Sequence, residues 1–229
     1  MLLLSMGFWQ LERSAQKKVL FEQFNSNSEQ IISLAEALER QSSLYTQVEI
    51  SGQFLQDIHY LLDNMVNSES IPGRHVVSLF QTIDNELILI NRGWIALRSV
   101  NEPQSSLVRF LQTPENQIQL SGRLDNLRQP GLSLSTEIPQ TDYPKTVQFP
   151  TFEQFESDLG KKLVHYQLLL NPDNDQKAYN FAYLREWQPR EMGPERHLAY
   201  AFQWFALALT LCIIYLLLSF RKIKDNAQY

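Results

Sequence analysis

Cysteine is almost missing from this chain. Cys212 is the single thiol, which excludes an intrachain disulfide framework and any CxxC or CxxxC metal clamp, and leaves the redox compartment unread. Histidine is nearly as sparse, at positions 59, 75, 165 and 197, without an HExxH or HxxxH pair, so the local zinc signatures are lacking too. Neither sign of charge dominates: 20 Lys and Arg stand against 25 Asp and Glu, a net charge of -5, which argues against a nucleic-acid partner. There is no GxSxG elbow, no phosphate-binding glycine loop and no GxGxxG, and no SxxK pair stands in a setting suited to catalysis. Glu153, Glu156 and Asp158 read as the solvated face of a short helix. The chain therefore does not read as an enzyme.

What is present is one long apolar run. Residues 198–220, LAYAFQWFALALTLCIIYLLLSF, hold 23 residues without a formal charge. As a helix they span about 34 Å, enough to cross the hydrocarbon core. Tyr200, Phe202, Trp204 and Phe205 crowd the first turns, where amphipathic rings suit the headgroup boundary. Arg221, Lys222 and Lys224 follow the run, as at a cytoplasmic flank. With the tail on that side, the preceding domain lies across the membrane and needs an N-terminal segment to lead it there. MLLLSMGFWQL at residues 1–11 is the candidate, but it is shorter than a spanning helix requires and reads as the second half of one whose first half lies upstream. No positive residue precedes it and no small-x-small site follows, which fits a cleaved signal peptide poorly. Arg13, Lys17 and Lys18 lie on the wrong side for the positive-inside rule, so cations are expected upstream.

Between these segments the pattern is mostly of period two. Residues 30–40 carry Ile31, Leu34, Ala35 and Leu38 at helical spacing. Strands are then expected over 45–54, 57–64, 74–82 and 86–97, a loop over 99–115, and another strand over 117–124. Further on, 130–150 reads as a loop, 152–161 as a short helix, and 163–170 and 179–187 as strands. VEISGQFL at 48–55 and QIQLSGRL at 117–124 resemble each other, both alternating around Ser-Gly, and suggest equivalent strands unless the likeness is chance. A glycine inside a strand marks a bulge or a close approach of backbones. The expected fold class is α+β: a mostly antiparallel β extramembrane domain, a curved sheet or small barrel, flanked by two transmembrane helices, the first truncated. In residue terms this gives 1–12 as the end of the first span, 13–196 as the outer domain, 197–220 as the second span and 221–229 as the tail.

The second span has two distinct faces on a helical projection. His197, Tyr200, Trp204, Ala208, Leu211 and Tyr215 share one; Ala199, Gln203, Ala206 and Thr210 share another, small and polar, suited to close packing against the N-terminal span or a partner subunit. The first face sets an imidazole and two large aromatics where membrane meets water. Such a face suits a flat apolar cofactor such as haem, while the plainer reading of His197 is an interfacial residue beside aromatic anchors.

Five stretches, in order along the chain, carry a resemblance: GFWQLERSAQKK at 7–18, SGQF at 51–54, INRGW at 90–94, SGRL at 121–124 and REWQPREMGPERHLAYAFQWFALA at 185–208. Together they resemble the Surfeit-locus-1 family of cytochrome c oxidase biogenesis factors, in its bacterial form; residues 99–116 and 125–150 contribute nothing to the likeness. The resemblance implies two spans in the bacterial inner membrane, a periplasmic main domain, and assistance in delivering haem a to the catalytic subunit of a haem-copper oxidase. Haem a would be held transiently, and the implied partners are that subunit, the lipid bilayer and haem a synthase. On this transfer His197 is the haem-iron ligand, with Tyr200 and Trp204 beside it. Arg92 is a weaker candidate, for a haem propionate; a strand end and a packed indole are the plainer reading of Arg92 and Trp94. Two other classes stay open: a structural chaperone that grips the oxidase subunit through its membrane helices without haem, and a membrane-anchored hydrolase or sensor.

Overall fold

The computed structural model describes residues 1–26, 31–40, 44–96, 111–128, 137–139, 141–172, 183–189 and 192–226. They fall into two compact units, one of residues 27–187 and one formed by 1–26 with 188–229.

Among the described residues, the larger unit is a β-sheet on which short helices pack. In chain order it holds β1 (Ile31–Ser33), α2 (Leu34–Glu39), β2 (Gln47–Val66), β3 (Pro72–Thr82), β4 (Leu87–Ala96), β5 (Ile118–Asp125), β6 (Lys145–Val147), α3 (Phe152–Leu159) and β7 (Gln167–Leu170), with α1 (Leu2–Ser26) before it. The sheet order is β1-β2-β3-β4-β7-β5, and β5 also pairs with β2. Most pairings are antiparallel; β1 with β2, β6 with β2, and β4 with β7 are parallel. β2 meets β5 only from Gln47 to Gly52, and its later residues Tyr60, Leu61 and Leu62 take β6 instead. Of the two expected forms, the outcome is a curved sheet, seamed along part of its length, rather than a closed barrel.

Two expected strands, 45–54 and 57–64, are one. β2 runs through both because a bulge between Phe54 and His59 absorbs the change of phase, with Asp57 in the left-handed region at φ 64°. The two Ser-Gly stretches turn out to be antiparallel neighbours, Val48 opposite Gly122 and Gly52 opposite Ile118. Their glycines mark close approach: a Cβ on Gly52 would strike the Gln81 carbonyl, and one on Gly122 the Leu169 carbonyl. The β3–β4 turn closes through Asn85 at φ 65°, with Glu86 N–H donating to Thr82 Oγ1 at 3.1 Å.

Three expectations need correction. Helical spacing over 30–40 gives only α2, because Ile31–Ser33 pairs with β2 as β1 and Ser33 then caps the helix by accepting from Glu36 N–H. The loop expected over 130–150 contains β6, too short at Lys145–Val147 to show a period of its own. Of the strand expected over 179–187, residues 179–182 lie outside the described set, and Leu184 makes a single bridge to Trp94. The loop expected over 99–115 is described only from Leu111 onward.

Both faces of the sheet are buried. Val48, Ile50, Phe80, Ile88, Ile90 and Leu168 form one cluster, into which α2 sends Leu34 and Ala37. Tyr60, Val77, Leu79, Leu89 and Phe155 belong to the other, the last contributed by α3. β4 thus alternates between two apolar interiors, which is why its sequence reads as a nearly continuous apolar run. α3 is fixed at its start by a capping box between Thr151 and Gln154 and ends at Gly160 with φ 63°.

The second unit pairs α1 with α4 (Pro194–Asn226). Phe8 meets Phe205 edge-on at 5.3 Å between centroids, Gln10 meets His197, and Ser14 Oγ donates to the Pro194 carbonyl at 3.0 Å, so the helices run antiparallel. α4 contains the one described helix long and apolar enough to cross a membrane, over Pro194–Arg221. The face packed on α1 differs from the expected one. Ala199, Gln203, Ala206 and Thr210 are exposed, whereas Ala201 is buried and His197, Trp204, Phe205 and Ala208 are half-buried. Close approach instead uses Gly7, whose missing Cβ makes room for the Phe205 ring, with Ser14 and Ala201.

Candidate functional site

The helix pair carries the first constellation. α4 starts at Pro194, directly after Gly193, and its first turn turns His197 toward α1. His197 Nδ1 lies 2.8 Å from Gln10 Oε1. An amide oxygen only accepts, so Nδ1 carries the proton, and in the neutral ring Nε2 then holds a lone pair. Among the described residues His197 makes no other hydrogen bond or ion pair. Tyr200 and Trp204 follow along α4, exposed and half-buried respectively. The expected trio thus shares one stretch of α4, and Gln10 joins it from the other helix. Gln10 sits in the GFWQLER stretch, where spacing alone gives no reason to single it out.

Arg92 and Trp94 belong to the other unit, at the end of β4. Gly93 has φ 128°, beside a break in the β3–β4 register between Val76 and Val77, a conformation that suits glycine alone. Asn91 braces this bulge, accepting from Gly93 N–H at 3.3 Å and donating to Gln167 Oε1 at 3.1 Å. Trp94 Nε1 donates to the Met65 carbonyl, and Arg185 Nε to the Arg92 carbonyl at 2.6 Å. Arg92 itself is fully buried. Its guanidinium donates to the Leu111 and Gln112 carbonyls at 3.2 and 2.7 Å and lies over the rings of Tyr183 and Phe54 at 5.1 and 5.8 Å.

The Arg92 cation continues a buried chain. Nη1 approaches Ser78 Oγ at 3.4 Å, and Ser78 Oγ lies 2.9 Å from His59 Nδ1. Ser78 Oγ thus accepts from Arg92 and shares a hydrogen bond with the His59 ring. Burial and then the Arg92 charge hold His59 down to about 4, against a smaller opposite pull from Asp57. Above lies a pocket of about 490 Å³ whose walls include Gln56, Asp57, His59, Gln112, Thr113 and Tyr143. It opens where β2 has left β5 and not yet reached β6. Sequence reading missed His59 and Ser78; the one available signal was a cation inside the apolar run LILINRGWIA.

A second buried group ties α3 to the sheet. Lys145 pairs with Asp158 at 2.5 Å, and Tyr60 and Tyr143 donate to the same carboxylate at 2.8 and 3.2 Å. Burial alone would raise Asp158, but the hydrogen bonds from Lys145 and Tyr60 hold it below the usual carboxylate range. Of the three carboxylates expected on a solvated face, Asp158 is therefore buried in an ion pair, and Glu156 accepts from Lys162 and from Leu163 N–H. No group of three or more His, Cys, Asp or Glu among the described residues is arranged to hold a metal ion.

Comparison with known proteins matches residues 1–209 to the SURF1 family. The SURF1-like protein of Rickettsia conorii is 29% identical over 223 residues, covering 94% of this chain and 86% of that protein. The SURF1-like protein of Rickettsia felis is also 29% identical, covering 94% and 91%, and that of Rickettsia prowazekii 28%, covering 94% and 84%.

Proposed function

Since the chain belongs to the SURF1 family, we propose that it is an assembly factor for a haem-copper terminal oxidase that helps deliver haem a to the catalytic subunit. The observation that carries the haem part is His197: an imidazole half-buried at the head of an apolar helix, its Nδ1 engaged by Gln10 and its Nε2 without a hydrogen-bond partner among the described residues. This donor set fits haem, which brings a flat macrocycle and an iron that takes an axial nitrogen. One imidazole with Tyr200 and Trp204 beside it meets that need. A single ligand of this kind also suits release, because handover breaks one bond.

The reading includes a bacterial inner-membrane location, with α1 as part of a first span, α4 as the second, and the β unit in the periplasm. Support for the first span comes from the outward side of α1, where Leu2 and Trp9 are exposed at 67 and 50% although the helix is already paired with α4. Water penalises such a surface and lipid does not. Haem a synthase and the catalytic subunit are the proposed partners, the one as source and the other as acceptor.

A second reading rests on a different face. Ala199, Gln203, Ala206 and Thr210 stay exposed after α1 has packed, a small and polar stripe open to another helix in lipid. It suits a scaffold that holds the oxidase subunit without touching haem. The absorption spectrum of the full chain, purified from cells making haem a, separates the two readings. Haem bound by wild type and lost from His197→Ala supports delivery; an apo wild type from haem-replete cells supports the scaffold.

A further inference from the structure

We infer that Gln10 is the positioning residue for His197, locking the ring in the Nδ1–H tautomer so that Nε2 is the atom offered for ligation; this rests on the haem reading above. Three contacts along the α1–α4 interface set the geometry. On one side of the Gln10–His197 bond the Phe8 and Phe205 rings meet edge-on at an interplanar angle of 76°, and on the other Ser14 Oγ holds the Pro194 carbonyl. Sliding or rotation of the helices would therefore disturb all three contacts together. The free histidine side chain prefers the opposite tautomer, with the proton on Nε2, so an acceptor at Nδ1 decides which nitrogen is left bare.

The identity of the acceptor matters as much as its place. Ligating histidines commonly donate their second N–H to a carboxylate, which makes the ring more basic and the metal bond tighter. A neutral amide fixes the same tautomer without adding charge. In a protein that must let its ligand go, an amide gives orientation without excess affinity. Gln10→Glu should then keep the tautomer and strengthen binding, while Gln10→Leu, of similar size, should lose the tautomer and weaken binding by about 10 to 100-fold.

The test uses the full chain in detergent with ¹⁵N-labelled histidine, first without haem, reading the imidazole nitrogen shifts and assigning His197 by difference from His197→Ala. A proton on Nδ1 in wild type and Gln10→Glu, lost in Gln10→Leu, is the expected result. Haem a is then titrated into each variant. Affinity falling in Gln10→Leu and rising in Gln10→Glu, with the iron–nitrogen stretch in the Raman spectrum shifting up for Gln10→Glu, supports positioning, since a merely structural role would move neither the tautomer nor that frequency. A wild-type proton on Nε2 overturns the inference whatever haem does. An Nδ1 proton together with equal haem affinity in wild type and His197→Ala overturns the haem reading instead, and the ligating role with it.

Discussion

The two units of this protein place their polar groups by opposite rules. In the helix pair, the most apolar window of α4 is only 6% buried, and Phe202, Leu209 and Leu217 are exposed at 74, 63 and 65%. Its contact sets polar and small groups, Gln10, His197, Ser14 and Ala201, beside the Phe8–Phe205 ring pair. In the β unit, aliphatic residues fill both faces of the sheet. On the proposed membrane reading, hydrocarbon outside the helix pair would drive polar groups toward one another, whereas water outside drives apolar groups together. The informative place is where a unit breaks its own rule, and the β unit does so at Arg92, Ser78 and His59, a cation and its hydrogen-bond chain within an apolar interior.

That exception offers the sharpest way to break the contrast. Arg92→Ala should cost about 3 kcal/mol or more, since it empties the space between Phe54 and Tyr183 and strands the Leu111 and Gln112 carbonyls in a dry interior. Arg92→Lys should recover little, because an ammonium cannot reproduce the forked donation to two carbonyls. Near-ultraviolet circular dichroism through a denaturant titration reads the loss in the β unit, and the helix pair, with no share in this chain of bonds, should keep its far-ultraviolet signal.

Acidification is next in size. His59 is held neutral down to about 4 in the folded state, below the ordinary histidine value of 6.5. The unfolded chain takes up its proton first, so this stabilisation is complete above about pH 6.5 and drains away as the pH falls toward 4. The shift corresponds to roughly 3 kcal/mol at full extent. His59→Gln should flatten the slope of stability against pH over that window. An unchanged slope in the variant would place the proton uptake elsewhere.

The same contrast explains what could be read from the sequence. The apolar run of α4 and the alternation in β3, β4 and β5 are local patterns, and each appears close to where periodicity puts it. β6, three residues long, exists only because β2 offers an edge to it, and no local signal records that. The face that α4 packs on α1 escapes the sequence for a related reason: small residues predict close approach, but the choice between Ala201 and Ala206 is made by where Gly7 and Phe205 meet. His197, Tyr200 and Trp204 are legible as candidates from motif and amphipathic position. Gln10 is not, since a glutamine gains meaning only from the side chain opposite it.

Smaller effects test the seam and the helix contact. Gly52→Ala forces a methyl against the Gln81 carbonyl at the point where β2 passes from β5 to β3, and should cost about 1 to 3 kcal/mol. Denaturation of the full chain should show it with the helix pair unaffected.

Two alanines on α4 give the finest comparison. Ala201 is 1% exposed against α1, so Ala201→Leu should push the helices apart, by about 1 kcal/mol of pairing energy, and lengthen the Gln10–His197 contact. Ala206 is exposed, and Ala206→Leu should leave the pair as it is. Crosslinking between cysteines introduced at Phe8 and Phe205, in a Cys212→Ser background, measures the spacing in detergent. Loss of the crosslink in Ala201→Leu and its retention in Ala206→Leu would establish that α4 spends one face on α1 and keeps the other for something else. If Ala206→Leu then also impairs oxidase assembly in cells while haem binding persists, the free face is the one that meets the partner.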